Sequence, residues 1–194
     1  MKRLPGWLLA VLVGLAMWSS GCMGRLVGEG AEKALGPKGD YWEEQPLAAS
    51  KKLKVLDAYG RFELGAVQND YGRNLPSDFI PKFKAEFAKQ LKESRLAKAP
   101  PGKTLVFNVS LVHYEVADTT DNVLGPLEQV VARVTLVDKD TQQVLATGNA
   151  IGRTGKTVGL GVDWKARGLA KALLKWAMDY YPKGEEDDDE PRKK

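Results

Sequence analysis

Phe79, Phe83, Phe87 and Leu91 recur at every fourth position, and this spacing limits what the chain can fold into more than any other feature. Residues four apart stack on one face of an α-helix, because each turn holds 3.6 residues. Ile80, Ala88 and Leu96 lie beside the stripe, while Lys82, Lys84, Lys89 and Lys92 fall elsewhere on the wheel. The pattern predicts an amphipathic helix with Ser77 as N-cap, Asp78 in the first turn and Pro81 early enough to be tolerated. Pro100-Pro101-Gly102 ends it. A second stripe, Leu169, Leu173, Trp176 and Tyr180, predicts another such helix from near Asp163 to just before Pro182. Two one-sided helices need an apolar surface to cover, and a sheet with one apolar face supplies it.

Strand signals surround the first helix. Residues 103–116 alternate, with Leu105, Phe107, Val109 and Leu111 on one face and Asn108, Ser110 and Tyr114 on the other. Residues 127–137 and 144–153 follow as two more strands, joined by the turn Asp138-Lys139-Asp140-Thr141, so that the three form an antiparallel meander. A polar loop, residues 117–126, separates the first two. Residues 53–67 read as a strand interrupted at Gly60. The order β-α-β-β-β-α predicts an α+β fold: a two-layer sandwich, mostly antiparallel, with both helices packed on one face of the sheet.

The N-terminal segment has a different character. Lys2 and Arg3 precede an uncharged apolar run from Trp7 to Trp18, followed by Ser19-Ser20-Gly21. This is the layout of a secretory signal peptide. The apolar run would span about 18 Å as a helix, short of the ~30 Å hydrocarbon core of a bilayer. Ser19-Ser20-Gly21-Cys22 resembles the lipobox of bacterial lipoproteins, with Ser19 standing where that family usually holds leucine. The resemblance implies cleavage between Gly21 and Cys22 and a diacylglycerol on the Cys22 thiol. Acyl chains contribute about 0.8 kcal/mol per buried CH₂, so several of them hold a protein stably on a membrane. Residues 1–21 are therefore expected to be a signal peptide and residues 22–50 a lipidated cysteine with a flexible tether, since Gly and Pro are frequent there and no apolar period is sustained. Within that tether Tyr41 and Trp42 stand out, as aromatics that dock on the domain or sit at the membrane interface. Residues 51–182 form the domain, and residues 183–194 a solvated, disordered charged tail.

Composition bounds the functions open to the domain. Cys22 is the only cysteine, which rules out an internal disulfide. Of 29 basic residues Lys2 and Arg3 fall in the leader, which leaves 27 against 25 acidic ones. That near balance gives no warrant for nucleic-acid binding, which needs a clustered basic face. His113 is the sole histidine, so a multi-histidine metal site is excluded. By strict alternation His113 shares the apolar face of its strand and is expected to be partly buried.

Ala150-x-x-x-x-Gly155-Lys156-Thr157 fits a relaxed phosphate-loop pattern after a strand. A working phosphate loop needs a helix beginning at its Lys-Thr, so that N-terminal amides meet the phosphates. Here Val158-Gly159-Leu160-Gly161-Val162 intervene, and Ala150 replaces the first glycine. No nucleotide is expected. Asp118 and Asp121 with nearby hydroxyls suit weak cation ligation, but polar loop chemistry explains them as well, and Asn108-Val109-Ser110 is a glycosylation triplet in mid-strand. No cofactor and no metal is expected.

The element order behind a lipobox resembles several bacterial envelope lipoproteins, including LptE-like and CsgG-like periplasmic domains and the N-terminal domain of TolB. The resemblance covers roughly residues 50–182 at the level of pattern alone. It implies a non-catalytic binding or assembly module, held on the cell membrane or outer membrane by its N-terminal lipid, facing the periplasm and engaging an envelope protein partner. The alternative is a binder of a lipid, glycan or peptidoglycan fragment in a groove between sheet and helices.

Overall fold

Leu105, Phe107, Val109 and Leu111 are all buried on one face of strand β3 (Lys103–Tyr114), as their alternation predicts. The computed structural model describes residues 37–72, 75–115, 128–153 and 161–182, all in the unit that begins at Pro37. Strands β4 (Gln129–Asp138) and β5 (Val144–Arg153) continue from β3 as the expected antiparallel meander, with Val109 opposite Val134 and Val134 opposite Gly148. Strand β2 (Tyr59–Asn69) lies parallel to β3 on its far side, and helix α1 (Phe79–Glu93) makes the crossover that parallel neighbours require. Strand β1 (Lys38–Gln45) pairs antiparallel with β5. The sheet therefore runs β1-β5-β4-β3-β2. Helix α2 (Gly161–Tyr180) closes the chain of elements, and both helices pack on one face, giving the α+β sandwich.

The predicted stripes are the core. Phe79, Phe83 and Phe87 of α1 are buried, as are Leu169, Leu173, Trp176 and Tyr180 of α2. Phe87 meets Phe107 edge-on at 5.5 Å and Phe79 meets Tyr114 at 5.2 Å, so aromatic pairs join α1 to β3. Lys82–Asp163 at 2.9 Å and Arg167–Glu86 at 3.3 Å link the two helices on their solvent side.

Four details differ from the sequence reading. First, Lys38–Gln45 is a strand, so the domain begins inside the segment read as tether. Gly39 is there for space: a Cβ on it would strike the backbone of α2 at Gly168, and a Cβ on Gly168 would lie 2.5 Å from the Lys38 carbonyl oxygen. Second, residues 53–67 do not form one strand. A short 3-10 turn occupies Lys51–Leu53, Lys54 takes a left-handed conformation (φ 41°), and β2 starts at Tyr59. Third, the residue before α1 is Asp78, whose carboxylate turns to Lys82 (2.9 Å) instead of capping an amide. Fourth, a register shift between Leu111 and His113 reverses the faces at the end of β3, as a bulge does. Tyr114 is buried against Phe79, and His113 is exposed beside Tyr71.

Candidate functional site

The two sheet edges are finished in different ways. Pro37 and Pro46 bracket β1, and Lys38, Asp40 and Glu44 stand exposed along it. Prolines and charges of this kind discourage another strand from pairing. Its inward side chains are fastened to α2. Tyr41 stacks on Trp176 with centroids 5.4 Å apart and donates to Asp179 at 2.6 Å. Glu43 accepts from Trp176 Nε1 at 2.7 Å and from the Tyr180 hydroxyl at 2.9 Å. Burial, reinforced by the Glu43 carboxylate, raises the Tyr180 pKa above its ordinary value, so the phenol stays a donor. Trp42 points the other way and is 46% exposed.

The β2 edge instead borders a groove of about 370 Å³. Phe62, Glu63, Leu64 and Gly65 line it from the strand. Lys84, Phe87, Ala88 and Leu91 line it from α1, one face of the helix because they stand three, four and seven residues from Lys84. Phe62 and Phe87 are buried at its floor, Leu64 and Leu91 are half-buried walls, and Lys84 and Ala88 are exposed on the rim. Lys139 reaches Glu63 at 2.6 Å and balances its charge. Among the described residues Lys84 has no ion-pair partner. At the Gly65 end of the groove the β2–β3 register shifts between Leu64 and Val67, and Asn108 Oδ1 accepts from the Ala66 amide at 3.0 Å across this irregularity.

The face of the sheet away from the helices is polar at its centre. Gln68, Asn108, Ser110, Arg133 and Thr135 line a shallow hollow of about 320 Å³ there. A solvated second face is ordinary for a sheet with antiparallel strands.

A buried ion pair closes one end of the sandwich. Lys165, in the first part of α2, lies 2.6 Å from Glu128, and the two are 1% and 9% exposed. The same ammonium donates to the Glu115 carbonyl and sits 4.0 Å above the Tyr114 ring. Burial pulls the Lys165 pKa below the usual lysine value, against the opposing pull of Glu128. At the other end Asp138 accepts from Tyr59 (2.8 Å) and from the amides of Asp140 and Thr141 (both 3.0 Å), which fixes the β4–β5 turn.

Gly21 and Cys22, the residues singled out for cleavage and lipidation, lie outside the described residues, as do Asp118, Asp121 and Gly155-Lys156-Thr157. Ala150 is a buried residue of β5, and α2 is described from Gly161. His113 stands on the surface beside Tyr71 and does not line the groove. Sequence reading missed the Lys165–Glu128 pair, the residues that line the groove, and the strand that carries Tyr41, although Tyr41 does dock on the domain, one of the two readings offered for it. Each joins residues far apart in the chain, and besides Tyr41 only the lysine row of α1 hinted at any of them. No helix among the described residues is long and apolar enough to cross a membrane.

No protein-family model matches the chain, and no curated protein matches it. Among solved structures the chain is similar to a PelC dodecamer from Paraburkholderia phytofirmans at 12% identity and a TM-score of 0.48, covering 76% of this chain and 99% of that one. A single-substitution variant of the same PelC, also a dodecamer, aligns at 15% identity and a TM-score of 0.47, covering 72% and 96%.

Proposed function

We propose that this chain is a lipid-anchored, non-catalytic binding or assembly module of a bacterial cell envelope, which engages a protein partner through the β2 edge of its sheet. The observation that carries the reading is the contrast between the edges. β1 is bracketed by prolines, charged and fastened to α2, whereas β2 ends the sheet beside an apolar groove. A sheet edge with side-chain pockets next to it is what strand addition uses. The signal-peptide layout ending in Ser-Ser-Gly-Cys22 supports the anchor.

A second reading draws on the same groove. It is lined from both layers, with Phe62 and Phe87 at its floor, as a site for an acyl chain or a glycan or peptidoglycan fragment would be. One preparation separates the two. The acylated chain, purified in mild detergent from its own membranes, is expected to carry a stoichiometric envelope protein and no retained small molecule. A chain that comes away alone, with a lipid or glycan mass bound in native mass spectrometry, overturns the first reading in favour of the second.

A further inference from the structure

We propose that the groove beside β2 receives an extended acidic segment of the partner, added as a new edge strand and carrying the pattern acid–x–apolar–x–acid. The proposal rests on the binding-module reading above and gives that partner its chemistry.

The dimensions fit a strand. From Lys84 to Leu91 the helical wall rises about 10 Å. From Phe62 to Gly65 the strand wall runs about 10 Å as well. From Arg61 to Leu64 β2 holds regular register with β3, Phe62 opposite Leu105 and Leu64 opposite Phe107, so its outer edge is straight there, and the register shifts only where the groove ends at Gly65. A strand laid there completes hydrogen bonds along the sheet and turns alternate side chains towards α1.

The charges select its composition. Among the described residues Glu63 is the only carboxylate lining the groove, and Lys139 already balances it. Lys84 is left on the rim as an exposed cation with no ion-pair partner among the described residues. Lys84 and Ala88 line the groove, and the exposed Lys92 follows one turn beyond the lining on the same ridge of α1, each about 6 Å from the last along the axis. Same-face residues of a strand repeat at about 6.8 Å. An acid therefore meets Lys84, an apolar side chain enters over Ala88 between Phe87 and Leu91, and a second acid meets Lys92. The β1 edge offers no equivalent, because its flanking prolines and exposed charges oppose pairing.

The test uses the full chain in detergent and a fluorescein-labelled peptide, Thr-Val-Thr-Glu-Thr-Leu-Thr-Glu-Thr, read by anisotropy. A lysine-for-glutamate counterpart and a version with N-methylated backbone amides serve as controls. The acidic peptide is expected to bind at least about fivefold tighter than the lysine peptide, with the difference shrinking as salt is added. The N-methylated peptide should not bind, and K84E with K92E should invert the charge preference. Both lysines are exposed, so these variants keep the fold. Ala88→Trp, which fills the groove from its rim, should abolish binding. No saturable binding, equal affinity for both peptides, or indifference to Ala88→Trp overturns the proposal. So does binding that appears only after residues 183–194 are removed, or a dimer that Ala88→Trp dissolves, since the occupant is then the chain itself. If the peptide fails while an envelope protein still co-purifies with the acylated chain, the groove chemistry is wrong and the binding-module reading stands. If neither binds, both fall.

Discussion

Lys165 Nζ lies 2.6 Å from Glu128 Oε2 with both side chains shut away from water, and Gly161 leaves the space that the carboxylate fills. The ammonium also bonds the Glu115 carbonyl, so one lysine of α2 holds both residues that flank the segment 116–127. A buried pair of this kind adds little over a well-packed apolar pair, but breaking it strands a charge. Glu128→Gln should therefore lower unfolding stability by about 3–5 kcal/mol. The double variant Lys165→Met with Glu128→Gln should recover much of the loss, because no uncompensated charge remains. Urea unfolding of the parent and both variants checks this, and a single variant that unfolds at the parental midpoint would show that the pair contributes nothing.

Removing β1 should damage the domain, although its sequence reads as a linker. A chain truncated to begin at Lys51 lacks Glu43, the acceptor for both Trp176 Nε1 and the Tyr180 hydroxyl. Each buried donor left without an acceptor costs about 1–3 kcal/mol, and the loss of the Tyr41 ring uncovers Trp176 as well. A chain beginning at Pro37 should unfold cooperatively at the higher temperature, and the Lys51 chain well below it. Equal midpoints would mean that β1 adheres without supporting the core.

The elements legible from sequence were those whose evidence is local. The stripes of α1 and α2 and the alternation of β3, β4 and β5 each repeat often enough to outvote exceptions. β1 was missed because its Gly39 and flanking prolines look like tether chemistry, while the contacts that make it a strand come from Trp176 and Tyr180, near the other end of the domain's sequence. The end of β3 was misread because the shift at Leu111–His113 contains no glycine or proline to announce it. The groove depends on how far α1 stands off β2, a distance that neither element's own pattern contains. Lys84 and Lys92 could be placed on the polar side of the helix, but not beside a sheet edge.

The anchor predicts a specific modification. The layout ending in Ser19-Ser20-Gly21-Cys22 predicts a mature N-terminus at Cys22. Mass spectrometry of the purified chain should find Cys22 first and acylated, and Cys22→Ala should leave the protein unlipidated and outside the membrane fraction. An unmodified N-terminus at any other residue would rule out lipid anchoring.

Acid should unfold the domain in part through Asp138. Its carboxylate accepts from the Thr141 and Asp140 amides, from Tyr59 and from Lys103, and these partners hold its pKa well below the ordinary 3.8. The folded state therefore takes up this proton less readily than the unfolded chain does. The resulting stability is present in full above the unfolded value of about 3.8 and is lost as pH falls through the folded one. Asp138→Asn keeps the size of the side chain but cannot be protonated in this range. The variant should be less stable than the parent at neutral pH, with the gap narrowing as pH drops below about 4. Urea midpoints measured from neutral pH to about pH 2 test the sign. A gap that stays constant, or widens in acid, would show that Asp138 does not supply the acid-labile part of the fold's stability.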